Sequence, residues 1–97
     1  MKISVSHNLT KAEALIRIKK LIQSLKAKYG SDIKEVKETW NGAKGELSLK
    51  IKSFNIKADI DVDNDSVSLK GDIPFLLKMF STKIEEIIKT NLKNSLS

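Results

Sequence analysis

The sequence contains no cysteine, which excludes disulfide bonds, thiol nucleophiles and the softest metal ligands. Its single histidine, His7, has no second histidine with which to share a metal ion. No apolar run approaches the roughly 20 residues that cross a bilayer, and no segment has the composition of a signal peptide. The length of 97 residues, with one proline and four glycines, predicts a single domain, residues 1–97, that is folded throughout. The absence of cysteine fits a reducing cytoplasm, so we expect a cytoplasmic protein.

Acidic residues are scarce in the first third of the chain. Residues 1–31 hold seven basic residues against Glu13 alone, which accounts for the whole net charge of +6. The excess therefore lies mainly on the first predicted helix, as a basic face formed by Arg17, Lys19, Lys20, Lys26 and Lys28. Such a face could meet phosphate groups or anionic surfaces, but no aromatic residues alternate with it for base stacking. Nucleic-acid binding is therefore the second alternative among the functional hypotheses, and two other hypotheses, given below, are preferred to it.

Apolar spacing predicts a strand, a helix, four strands and a second helix. Thr10 followed by Glu13 is typical of a capping box at a helix start, and helical periodicity continues to Tyr29. Pro74 suits the first turn of the last helix, whose apolar stripe reaches Leu92. We expect an α+β fold in which a curved, antiparallel sheet packs on helices, a helix-grip-like arrangement.

The four middle strands read as a meander with two-residue turns at residues 41–42, 53–54 and 64–65. Asn-Gly at the first turn is a strong hairpin signal, because both turn positions require positive φ. All three registers keep one apolar face along the sheet. The pairs predicted beside the turns are Trp40 with Ala43, Ile51 with Ile56, and Val62 with Val67.

Polar residues at inward positions are the candidates for chemistry. His7, Glu38 and Asn91 all face inward in this scheme, so they could form a polar inward cluster. No serine, cysteine or second base stands at catalytic spacing from His7, and catalysis would need an orienting partner. We therefore expect no catalytic residue and no enzyme activity. His7 is expected to fix the strand-to-helix corner by bonding backbone groups near Thr10.

Two further segments offer binding hypotheses. Asp61, Asp63 and Asp65 follow the spacing of a calcium loop, but Ser66 replaces the required glycine and strands flank the segment, so no metal or cofactor is expected. IPFLLKMF, residues 73–80, is apolar nearly all round. In an unbroken helix Phe75 and Met79 would form an exposed binding patch; in a bent helix both would be buried.

Several short motifs, taken in order, resemble one family. They are SHNL at residues 6–9, Ala14 and Arg17 in the following helix, WNG at residues 40–42, and IPFLLKMF with KIEEIIKTNL at residues 73–92. Together they resemble the polyhydroxyalkanoic acid system family, small proteins associated with bacterial polyester granule genes. The resemblance implies a cytoplasmic accessory role and supplies no active site.

The leading hypothesis is a non-enzymatic binding protein that contacts polyhydroxyalkanoate granules or their proteins. The Phe75/Met79 patch would bury apolar area against the granule, and the basic face would attract anionic groups. The alternative is a carrier that holds a small acyl-like ligand between the sheet and the last helix. A continuous internal cavity would favour the carrier.

Overall fold

The structure is a computed structural model that describes residues 1–51, 54–72 and 81–97. Its elements, in chain order, are β1 (Lys2–Ser6), α1 (Lys11–Lys28), β2 (Ile33–Asn41), β3 (Lys44–Ile51), β4 (Phe54–Val62), β5 (Ser66–Asp72) and α2 (Ser81–Ser95). This order confirms the predicted α+β class of strand, helix, four strands and helix. The helix-grip-like detail stays a prediction.

The five strands form one antiparallel sheet in the order β1-β5-β4-β3-β2. The strand β1 pairs with β5, and Ile3 lies opposite Leu69. The sequence left this partner open, because no local turn links two strands that are so far apart in the chain. β1 closes one edge of the sheet and β2 forms the other.

The predicted registers were right at one hairpin and wrong at two. Val62 pairs with Val67 as expected. At the first hairpin Trp40 pairs with Gly45 instead of Ala43. The loop is Gly42-Ala43, and of these two residues only Gly42 has positive φ, at 62°. That pattern is typical of a type II′ turn, which needs glycine only at its first central position.

The pairing at the second hairpin is displaced by the same number of residues in the opposite direction. Ile51 pairs with Phe54 instead of Ile56, so Phe54 belongs to β4 and not to the turn. Both displacements move the pairing by two residues, which leaves every side chain on its predicted face because alternation has a period of two. The strand β5 extends to Asp72, two residues before Pro74. The predicted helix start near Pro74 lies outside the described residues.

A β-bulge in the edge strand β2 changes which of its first residues lie on the apolar face of the sheet. The register shifts between Lys34 and Lys37, and Glu35 there has φ of 54°. The extra residue places Ile33 opposite Ile51, on the apolar side of the sheet. Bulges and lysines at an edge also oppose pairing with another chain.

Both helices pack on the apolar face. The Thr10 hydroxyl accepts from the Glu13 N–H at 3.1 Å, which begins α1 as predicted. The buried core of the described residues lies at one end of the sheet, where β1, β5 and β4 meet the two helices. Its members are Ile3, Val5, Ala14, Ile18, Ile22, Ile60, Val62, Val67, Leu92 and Leu96.

The β2–β3 end of the same apolar face is less completely covered. Ile33, Leu47, Leu49 and Ile56 are each only half-buried. The opposite face of the sheet carries serine, lysine, aspartate and glutamate side chains and is exposed to solvent. Among the described residues, the apolar face is therefore well buried at one end of the sheet and only half-buried at the other.

Candidate functional site

His7 lies at the corner between β1 and α1 and is 7% exposed. Its Nδ1 accepts from the Leu9 N–H at 3.1 Å, which leaves Nε2 to donate to the Asp63 carbonyl at 3.0 Å. Its main-chain N–H donates to the Asp65 carbonyl at 2.9 Å. One side chain thus ties the start of α1 to the β4–β5 turn, which is the corner role expected from the sequence. Both ring nitrogens are occupied by backbone groups.

Glu38 lies in β2 and faces α1. Its carboxylate accepts from Trp40 Nε1 at 2.6 Å, from Lys26 Nζ at 3.0 Å and from Gln23 Nε2 at 3.3 Å. Burial raises the pKa of Glu38. The hydrogen bonds from Trp40 and Lys26, together with the charges of Lys26 and Lys19, lower this pKa by more, so it lies below its ordinary value of 4.5. The carboxylate is held ionised as a link between α1 and the sheet.

Asn91 lies in α2 among apolar residues. Its Nδ2 donates to the main-chain oxygen of Ile87, one turn earlier, at 2.8 Å. In the described parts of the chain, no hydrogen bond joins any two of His7, Glu38 and Asn91, and each has its own separate partners. The structure therefore gives the three side chains separate roles.

The predicted basic face is largely engaged within the molecule. Arg17 pairs with Glu13 at 3.2 Å and also donates to the carbonyls of Ser95 and Ser97. Lys26 pairs with Glu38. Lys19 Nζ lies 5.2 Å from the centre of the Trp40 ring, and Lys28 Nζ lies 5.5 Å from that of Tyr29. Lys20 borders a shallow surface depression with Arg17. The ion pairs of Arg17 and Lys26 reduce the charge that the basic face can offer to a polyanion.

An apolar groove lies between the sheet and the two helices, with a volume of about 310 Å³. The groove is lined by Leu21, Leu25 and Tyr29 of α1, by Ile87, Ile88 and Asn91 of α2, and by sheet residues that include Ile33, Leu47, Leu49 and Ile56. This volume is at the lower end of the range for small-molecule sites, about 300–1,000 Å³. The groove can hold an aliphatic chain.

Two large apolar residues of the groove remain accessible to water. Ile87 is 52% exposed and Tyr29 is 40% exposed. Helical periodicity assigned both to buried stripes, because it identifies the side of a helix but not how far the facing layer extends. Lys57 and Asp72 also border the groove, but they alternate along their strands with the inward residues Ala58 and Gly71. Among the lining side chains, Asn91 contributes the one amide.

The other features considered in the sequence are the Phe75/Met79 patch, a metal site and a membrane-spanning segment. Phe75 and Met79 lie outside the described residues. Across residues 1–51, 54–72 and 81–97, no group of three or more potential ligands is arranged to hold a metal ion. Within the same ranges, neither helix is long and apolar enough to cross a membrane.

Comparison with known proteins gives one match. A family model described as "Putative polyhydroxyalkanoic acid system protein" matches residues 1–96. No curated protein and no solved structure matches the chain. The matched range contains the seven helices and strands of the described residues and the groove-lining residues named above.

Proposed function

This chain belongs to the polyhydroxyalkanoic acid system family, as its motifs predicted, and we propose that it is a cytoplasmic, non-enzymatic accessory protein of polyester storage. In this role it binds the granule surface or proteins on that surface. The apolar groove, with Ile87 and Tyr29 exposed at its rim, is the observation that carries the proposal.

The rim can gain free energy from contact with an apolar surface. Burying exposed aliphatic and aromatic area stabilises a complex by about 25 cal/mol per Å². Ile87 and Tyr29 supply such area beside the half-buried residues of β2 and β3. Lys28, next to Tyr29, adds a positive charge at the same rim, which favours surfaces that carry anionic groups.

Co-sedimentation with polyhydroxybutyrate particles tests this proposal. Polystyrene beads of equal surface area serve as the nonspecific apolar surface. We expect preferential binding to the polyester, and we expect Ile87→Ser and Tyr29→Ser each to weaken it severalfold while the circular dichroism spectrum is unchanged.

Ile16→Ser is the matched control. Ile16 is 48% exposed, nearly the same as Ile87, and lies on α1 away from the groove. A general loss of surface hydrophobicity would weaken binding equally in the Ile16 and Ile87 variants, which would contradict the proposal. Equal binding of the wild type to polyester and polystyrene would also contradict it.

The carrier of a small acyl-like ligand is the second candidate function. The groove favours it because apolar side chains from both helices and from the sheet line one space. Native mass spectrometry of the protein purified from a polyester-producing cell tests for a bound aliphatic acid. A ligand-free protein that also fails to bind added aliphatic acids would exclude the carrier without affecting granule attachment.

A further inference from the structure

We propose that the free edge of β1 is a docking site for an extended, acidic segment of a partner protein, which adds to the sheet as a further strand. The site is formed by Ser4 and Ser6 of β1 and by Lys89 and Lys93 of α2, and it shares none of these residues with the apolar groove. The inference therefore goes beyond granule attachment and does not depend on it.

The main chain of β1 alternates between the two sides of the strand. The Met1 amino group donates to the Gly71 carbonyl at 3.0 Å, and the Gly71 N–H donates to the Met1 carbonyl at 2.9 Å. At the other end, the His7 N–H bonds the β4–β5 turn at 2.9 Å. In an antiparallel pair such bonded residues alternate with residues whose N–H and C=O point away from the partner strand. The residues of β1 that point away from β5 are therefore Lys2, Ser4 and Ser6.

The two edges of the sheet differ in how they oppose the addition of a strand. The β2 edge carries a bulge at Glu35, between Lys34 and Lys37. By contrast, β1 keeps a regular register with β5, and its one lysine, Lys2, is at the first position. Among the described strands, none lies beside β1 on its free side. A regular edge of this kind presents N–H and C=O groups to which an extended chain can bond.

An open cleft lies beside the β1 edge, next to the second half of α2. Its lining includes Ser4 and Ser6 on the strand side and Lys89 and Lys93 on the helix side. Both lysines are exposed, and neither forms an ion pair within the part of the chain that the structure describes. No aspartate or glutamate of that part lines the cleft. The cleft therefore complements a segment that carries carboxylates.

The spacing of the two lysines matches that of side chains on a strand. Lys89 and Lys93 are four residues apart, which is about 6 Å along a helix. Alternate residues of a strand point to the same face and are about 7 Å apart. Two acidic residues separated by one residue can thus face the two lysines at once, while the residue between them points to the opposite face of the sheet.

Charge also selects between an acidic partner and a second copy of this chain. If two β1 edges paired around a twofold axis, the α2 helices of both copies would lie on the same face of the joined sheet. Lys89 and Lys93 of one copy would then approach the same lysines of the other. Juxtaposed like charges disfavour a complex, so the edge favours an acidic segment over its own copy.

Titration of the isotope-labelled protein with the synthetic peptide TTETETT, followed by NMR, tests the site. We expect the largest shifts at the amides of Lys2, Ser4 and Ser6. Hydrogen exchange of these amides should become slower, because they gain main-chain acceptors. The peptide TTKTKTT, which has the same pattern and the opposite charge, should bind roughly tenfold or more weakly at low ionic strength.

Methylation of peptide nitrogens tests whether the segment binds as a strand. In antiparallel pairing with β1, the threonines of TTETETT share a face with Ser4 and Ser6, and their N–H groups point to β1. Methylating the nitrogens of the central threonines should abolish binding. Methylating those of the two glutamates, which point to solvent, should change the affinity by less than about threefold.

Two protein variants test the two halves of the site. Lys89→Glu/Lys93→Glu should weaken the binding of TTETETT roughly tenfold or more and should restore binding of TTKTKTT. The matched control is Lys20→Glu/Lys44→Glu, which makes the same change in net charge at exposed positions outside the cleft and should stay within about threefold of the wild type. Ser4→Pro removes an N–H that points away from β5, so it should block the peptide while the bonds between β1 and β5 remain.

Four results would overturn the inference. They are the absence of shifts along β1, equal affinity for the acidic and basic peptides, equal effects of the two methylations, and equal losses in the cleft variant and its control. Slow exchange at Ser4 and Ser6 that depends on protein concentration without peptide would assign the edge to a second copy and would also overturn it. Because the probe is a peptide and the groove is unchanged in every variant, these results leave the co-sedimentation test of granule attachment independent.

Discussion

Replacing His7 with alanine should destabilise the fold more than any other single change at the β1–α1 corner. The imidazole is 7% exposed and bonds the Leu9 N–H and the Asp63 carbonyl. Alanine removes both bonds and leaves a space beside the β4–β5 turn. His7 and Asp63 are 56 residues apart in the sequence, so this side chain joins distant segments.

The cost follows from the number and surroundings of these bonds. Each contributes a net of about 1 kcal/mol, and the lost packing of the ring adds to this, so we expect a decrease of about 2–3 kcal/mol in the free energy of unfolding. For a domain of this size the midpoint of thermal unfolding should fall by about 10–20 °C. Leu9 is half-buried and Asp63 is exposed, so water replaces the Asp63 bond more easily.

Urea unfolding measures this change in the free energy of unfolding. Two further variants separate the bonds. His7→Asn places an acceptor where Nδ1 was and can keep the Leu9 bond, whereas His7→Gln places a donor where Nε2 was and can keep the Asp63 bond. We expect stability to decrease in the order wild type, Asn, Gln, Ala.

Two results would refute this reasoning. One is a loss below about 0.5 kcal/mol in the alanine variant, which is the size of an ordinary surface change. The other is equal instability of all three variants, which would assign the effect to ring packing and not to the two bonds.

The remaining predictions concern the β2–β3 hairpin. Because the folded-state pKa of Glu38 is lowered, its stabilising contribution is present above the ordinary value of 4.5 and is lost as the pH falls through the folded value. Urea unfolding should thus show Glu38→Gln less stable than the wild type at neutral pH, with the gap closing in acid; a gap that does not vary with pH would contradict the ion pair with Lys26. An added Cβ on Gly45 would lie 2.8 Å from the Trp40 ring, so Gly45→Ala should cost about 1–3 kcal/mol and alter tryptophan fluorescence. An unchanged unfolding midpoint and emission spectrum would mean that the ring is free to move aside.

The faces of the strands could be predicted better than their registers. The hairpin at Asn64 and Asp65 was predicted correctly. At Gly42 the loop moved by one residue, because a type II′ turn needs only one position with positive φ. The resulting shift of two residues kept Trp40 on its predicted face. Only the bulge at Glu35, which has no local signature, changed which residues face inward at the start of β2.

For the polar residues, too, the face of each side chain could be predicted from the sequence but its bonding partners could not. Alternation and helical spacing placed His7, Glu38 and Asn91 on inward faces, yet they bind different partners in the structure. Periodicity gives the direction of a side chain relative to its own element. Which side chains then meet depends on how elements distant in sequence pack together.

The sequence by itself determined the family, the order of helices and strands, the apolar face of each one and the corner role of His7. These properties depend on short-range spacing, capping and turn chemistry, which a single chain displays directly. The tertiary structure alone decided the partner of β1, the ion pair of Lys26 with Glu38, and the groove with Asn91 in its wall. Those depend on contacts between elements far apart in the chain, and on how much of the sheet two helices can cover.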